Sequence, residues 1–128
     1  MINNTGLASL KTVIHNETNL NKLCIMVESI NNRYNKSSTS IPSIESCIRM
    51  SKELSRTPGF NEIFGNPRLM RALIVSSNMY THPDNIKDIF DNYQMTMYEE
   101  NTSSDNLIFE LVYSEEILKH FKLVGNIK

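Results

Sequence analysis

Three histidines, two cysteines and two acidic pairs are the side chains here from which metal, nucleophilic or acid–base chemistry would have to be built. His15, His82 and His120 stand far apart, with no cysteine or carboxylate at ligand spacing, so no metal centre is expected. Cys24 and Cys47 each fall on the apolar face of a helical pattern, where a thiol behaves as a small hydrophobe. Glu99-Glu100 and Glu115-Glu116 are neighbours in sequence, which on a helix point in different directions and suit a solvated face. Gly6, Gly59, Gly65 and Gly125 never cluster, which excludes a phosphate-cradling loop and a dinucleotide fingerprint. No serine stands in a Gly-x-Ser-x-Gly elbow. The sequence therefore predicts no catalytic residue, no cofactor and no enzymatic activity.

Charge offers a different chemistry. Residues 22–71 hold eight basic side chains against four acids, whereas residues 72–128 hold four lysines against nine acids, although the whole chain carries only −1. A basic middle and an acidic end can attract each other within the fold or favour association between copies. Arg49, Lys52 and Arg56 follow helical spacing and can form one basic edge, and Arg68 and Arg71 form another. These five cations support an alternative reading as a small regulatory nucleic-acid binder. No aromatic platform is interleaved with them, and the pI is only about 6.3.

The most informative stretch is Thr57-Pro58-Gly59-Phe60-Asn61-Glu62-Ile63-Phe64-Gly65-Asn66-Pro67-Arg68-Leu69-Met70-Arg71-Ala72-Leu73-Ile74. Two prolines nine positions apart each head a short amphipathic segment, and the second begins with a cap, a proline, then Arg, Leu and Met. Residues 57–76 resemble the ubiquilin-type repeat, the heat-shock chaperonin-binding motif of ubiquilins and of co-chaperones, in the spacing of the prolines and the wording Asn-Pro-x-Leu-Met-Arg-x-Leu-Ile. The resemblance implies short helices folded into an open apolar groove that holds hydrophobic segments of other proteins. On that reading Phe60, Ile63, Phe64, Leu69, Met70 and Leu73 line the groove, while Arg68 and Arg71 steer acidic flanks of a partner. Met70, with Met50 and Met79 nearby, would tolerate partners of varied shape.

The elements that must position these residues are mostly helical in period. Leu7, Leu10, Val13 and Ile14 share a face behind a cap at Thr5. A second helix spans about 19–34 and buries Leu20, Leu23, Cys24, Val27 and Ile30. Lys36 to Ser40 is the best loop, after which Pro42 suits the first turn of a third helix with Ile44, Cys47, Ile48, Ser51 and Leu54 inward. A short helix fits 60–64. Asn66-Pro67 starts the next, with Leu69, Met70, Leu73 and Ile74 inward. His82-Pro83-Asp84 repeats the device ahead of Ile86, Ile89, Phe90 and Tyr93. The last third is ambiguous: 94–98 and 107–113 could pair as a small β-hairpin around 101–106, whereas helix over most of 105–123 is favoured, with Ser114-Glu115-Glu116 as a helix start.

Together these readings give a single all-α domain over residues 1–128, a compact bundle or irregular array of five to seven short helices, with a small C-terminal β-hairpin as the variant. No run of apolar residues is long enough to span a bilayer, and the polar start lacks the order of an export signal. A cytoplasmic protein with two reduced thiols is expected. The expected function is a non-enzymatic, co-chaperone-like adaptor that binds a hydrophobic or helical segment of another protein, with homo-oligomers as a further option. Richness in Asn and Ile fits an AT-rich genome and, on composition alone, a viral or phage host-interaction protein.

Overall fold

The computed structural model describes residues 17–34, 41–54, 56 and 65–125. Among them lie five α-helices and no strand: α1 (Glu17–Tyr34), α2 (Ile44–Leu54), α3 (Pro67–Thr81), α4 (Ile86–Glu99) and α5 (Ser104–Gly125). A 3₁₀ turn, Pro83–Asn85, precedes α4. The all-α expectation holds and the hairpin variant does not. The segments over 5–14 and 60–64 lie outside the described residues, as do the side chains of Leu20, Leu23 and Ile30.

Helix α3 is the hub. Pro67 occupies the first turn, where its missing amide hydrogen is not needed, and the Asn66 side-chain oxygen accepts from the amides of Arg68 at 3.1 Å and Leu69 at 3.3 Å. From Leu69 to Met79 every residue is buried, so α3 is enclosed on all sides. Its far end is closed by His82, whose amide donates to the Asn78 carbonyl at 2.9 Å, and by Pro83, which cannot continue the ladder.

The other four helices pack on α3. One core joins Cys24 and Val27 of α1, Cys47 and Met50 of α2, Leu69, Met70, Leu73 and Ile74 of α3, and Tyr113, Ile117 and Phe121 of α5. A second core joins Val75 and Met79 to Ile89, Tyr93 and Met97 of α4. Small residues set the closest approach. Ser76 Oγ lies 2.6 Å from its own Ala72 carbonyl and 2.8 Å from the Ser114 carbonyl of α5, so one hydroxyl proton is shared between them.

Two helix starts and one inward position differ from the sequence expectation. Ser43, not Pro42, caps α2, because its hydroxyl accepts from the Ser46 amide at 3.1 Å, a bond proline has no side-chain atom to make. Ile48, expected inward, is 39% exposed, and Met50 is buried in its place. Ile48 stands about 100° round the helix from Cys47, on the side away from Met50. The last helix begins ten residues before Ser114, which is buried mid-helix with its hydroxyl donating to the Leu111 carbonyl at 3.0 Å. Ser103 is the cap, accepting from the Asn106 amide through its hydroxyl and from the Leu107 amide through its carbonyl.

Asn101 is why α4 turns into α5 rather than into a strand. Its φ of 54° is left-handed, a conformation asparagine tolerates better than most residues. The amides of Asn101 and Thr102 then return to the carbonyls of Tyr98 and Met97, the paired bonds of a Schellman helix end.

Replacing Asn66 by Ala is expected to cost about 1 kcal/mol in urea denaturation, since both α3 amides lose their acceptor. A loss below a few tenths would mean that α3 is held by packing alone.

Candidate functional site

The residues singled out as a groove are not brought together on the surface. Leu69, Met70 and Leu73 are sealed inside the main core, as are Met50 and Met79 in the two cores. The physical reason is that α3 is covered on every side, so its apolar stripe meets the other helices rather than a partner. Phe60, Ile63 and Phe64 lie outside the described residues.

Arg68 and Arg71 are not steering cations either. Arg71, 0% exposed, points from the centre of α3 at Glu110 of α5, also 0% exposed, with Nε 2.6 Å from Oε1 and Nη2 2.9 Å from Oε2. Its Nη1 donates to Glu100 at 2.8 Å and to the Pro42 carbonyl at 3.3 Å. Arg68 donates to Glu110 Oε2 at 2.6 Å, and the Tyr93 hydroxyl donates to Oε1 at 2.8 Å. Each Glu110 oxygen therefore accepts two bonds, which fills the carboxylate. Glu100 in turn accepts from the Ile44 amide at 3.0 Å, holding the start of α2. The Arg71 guanidinium also lies 5.9 Å from the Tyr93 ring centroid.

The charges cancel, two arginines against two glutamates, so the group is buried without a net charge. Burial alone would lower the Arg71 pKa, but the bonds and charges of Glu110 and Glu100 outweigh it and push the pKa up. Tyr93 is driven well above the usual phenol value, first by burial and then by the Glu110 carboxylate. Burial likewise lifts the Cys47 thiol to about 12, with Arg71 pulling the other way. Cys24 is raised by burial too, and both cysteines are free thiols. A saturated carboxylate and protonated, enclosed thiols present no base or nucleophile to a substrate.

The accessible feature is elsewhere. A cleft of about 800 Å³ opens where α4 turns into α5, lined by Met95, Met97, Tyr98, Leu107 and, at its rim, Asp91 and Asn101. Tyr98 is 80% exposed and Met95 56%. Along α5, Ile108 and Val112, one turn apart, are also exposed. The sequence leaves this surface unread because the weak alternation of 94–98 fits a strand as well as a helix. At helical period Ile89, Tyr93 and Met97 form the inward row, and Met95 and Tyr98 fall off it. Arg49, Lys52 and Arg56 do remain exposed. Among the described residues no group of three or more His, Cys, Asp or Glu could hold a metal ion. No described helix is long and apolar enough to cross a membrane.

Arg71→Met is expected to cost about 3–5 kcal/mol by urea denaturation, because buried Glu110 loses two of its four bonds and Glu100 loses its cation. Adding Glu110→Leu should recover a large part of that loss, and additive single and double variants would contradict the pairing.

Stability is also expected to fall as pH rises above 9. The unfolded chain loses its Cys47 proton near 9.0 while the folded thiol holds it to about 12, so the unfolded state binds fewer protons throughout that window. Tyr93 adds to the loss from about 10 upward. Each group contributes a slope of up to about 1.4 kcal/mol per pH unit. Urea midpoints between pH 8 and 11 measure it, and Cys47→Ala should flatten the first part of the fall. A flat profile in the parent chain would contradict the assignment.

The chain matches no protein-family model, no curated protein and no solved structure.

Proposed function

We propose that this chain is a non-enzymatic protein-binding module, of an adaptor or co-chaperone-like kind, and that the cleft between α4 and α5 is the surface it offers to a hydrophobic or helical segment of another protein. One observation carries the reading: Met95 and Tyr98 stand in water on the wall of an apolar cleft although the fold has no use for them there. Scattered exposed apolar residues are ordinary in proteins, but a large aromatic and a methionine on one stripe beside a concave surface form a patch. Methionine adapts to partners of varied shape, and tyrosine supplies broad contact area at small entropic cost. Two free thiols support a reducing, cytoplasmic setting.

The nucleic-acid alternative keeps Arg49, Lys52 and Arg56, exposed at helical spacing, and loses Arg68 and Arg71 to the buried network. It predicts an affinity that falls steeply with salt.

Fluorescence anisotropy with labelled apolar helical peptides tests the main reading. Binding in the micromolar range is expected, weakened at least tenfold by Tyr98→Ala with Met95→Ala. Both side chains are exposed, so the variant should melt like the parent. Absence of binding at millimolar protein would sink it.

A further inference from the structure

We infer that the occupant of the cleft is a basic amphipathic helix, one that sets its apolar stripe on Met95 and Tyr98 and its Lys or Arg side chains on Asp88 and Asp91. This rests on the cleft being the binding surface. Asp88, Asp91, Met95 and Tyr98 follow one another at intervals of three, four and three, so they form a single stripe along α4, and all four are exposed. The stripe is acidic toward the start of the helix and apolar toward its end. Asp84, Glu99 and Asp105, also exposed, extend the acidic rim on both sides.

Between residues 84 and 105 Lys87 is the one basic side chain, and none of Asp84, Asp88, Asp91, Glu99 or Asp105 forms an ion pair among the described residues. The arginines that could have neutralised this surface, Arg68 and Arg71, are turned inward onto Glu110 and Glu100. The fold thus uses Arg68 and Arg71 internally and, among the described residues, leaves the acids beside the apolar cleft without an ion-pair partner. A partner bringing acids there would meet repulsion, and one bringing cations would be steered in.

Spacing adds a further requirement. Asp88 and Met95 are seven residues apart, about 10 Å along the axis, so an occupant lying along α4 carries its cations about two turns from its apolar contacts. A cation nearer the apolar end can also lie over the exposed Tyr98 ring.

Three labelled alanine-based peptides of about 18 residues, long enough to be helical alone, make the test. They share one leucine stripe and differ in bearing Lys, Gln or Glu two turns away from it. Anisotropy titrations are run at low and high salt. The Lys peptide is expected to bind at least tenfold tighter than the Glu peptide, with the gap closing as salt rises. Asp88→Asn with Asp91→Asn should bring the affinity of the Lys peptide down to that of the Gln peptide. Equal affinity for all three peptides, abolished by Met95→Asp, would overturn the basic partner and keep the cleft as a binding surface. Failure of every peptide to bind would overturn both. So would sedimentation showing that the free protein dimerises through Tyr98, since the occupant would then be a second copy.

Discussion

A single buried carboxylate, Glu110, governs how the helices meet. Its two oxygens accept from Arg71, Arg68 and Tyr93, and the guanidinium that reaches it also grips Glu100 and the Pro42 carbonyl. Taking such charges out of water costs several kcal/mol per ion and is offset only when the remaining lone pairs and protons are satisfied. The arrangement therefore tolerates little displacement. A one-residue slip of α5 would turn Glu110 by about 100°, take it from Arg71, Arg68 and Tyr93, and leave Arg71 with only Glu100 and the Pro42 carbonyl. Apolar packing alone could accept several registers of α5 on α3, whereas the ion pair accepts one. Through Glu100 the same constraint extends to the end of α4 and the start of α2.

That constraint also decides which surface remains for function. In sequence the chain reads as basic in the middle and acidic at the end. In the folded molecule the two most central arginines are consumed by two of the acids, and the residual basic edge shrinks to Arg49, Lys52 and Arg56. Of the other acids in residues 72–128, Asp88, Asp91 and Glu99 lie on α4 and Asp105 at the start of α5, while Asp84 precedes α4 and Glu115 and Glu116 sit mid-α5. In the network itself the hydrogen-bonding capacity of Glu110 is exhausted and Arg71 is enclosed. Interaction with another molecule has to use groups the fold has left uncommitted.

Local punctuation was readable from the sequence and long-range partnership was not. Asn66-Pro67 and His82-Pro83 announce helix ends because capping is a contact between neighbours in sequence, and the structure has both ends there. Asn101 gave a weaker signal: an asparagine after Glu99-Glu100 fits a hairpin turn as well as a helix end. Residues 107–113 look like a strand because they are apolar and partly β-branched, but a buried helix reads the same way over so short a window. Arg71 was misjudged because arginine at helical spacing is usually solvated. A signal was present all the same. Arg71 interrupts Leu69-Met70 and Ala72-Leu73-Ile74-Val75, and Glu110 interrupts Leu107-Ile108-Phe109 and Leu111-Val112-Tyr113. A charge in the middle of an apolar run has to be buried, and a buried charge requires a partner of opposite sign.

The same reasoning, applied to the surface, separates residues the fold requires from residues it merely carries. Ile89, Tyr93 and Met97 must be large and apolar because they fill the space against Val75 and Met79. Met95 and Tyr98 belong to neither core, and a polar side chain at either position would leave every described core contact intact. The angle between α4 and α5 is set by the Asn101 turn and the Ser103 cap, and both helices lean on α3. Met95 and Tyr98 border the cleft at that junction. Apolar side chains at such a place add nothing to folding stability that lysine or glutamine would not match. Their chemistry is better accounted for by contact with something outside the chain than by any demand of the helix bundle itself.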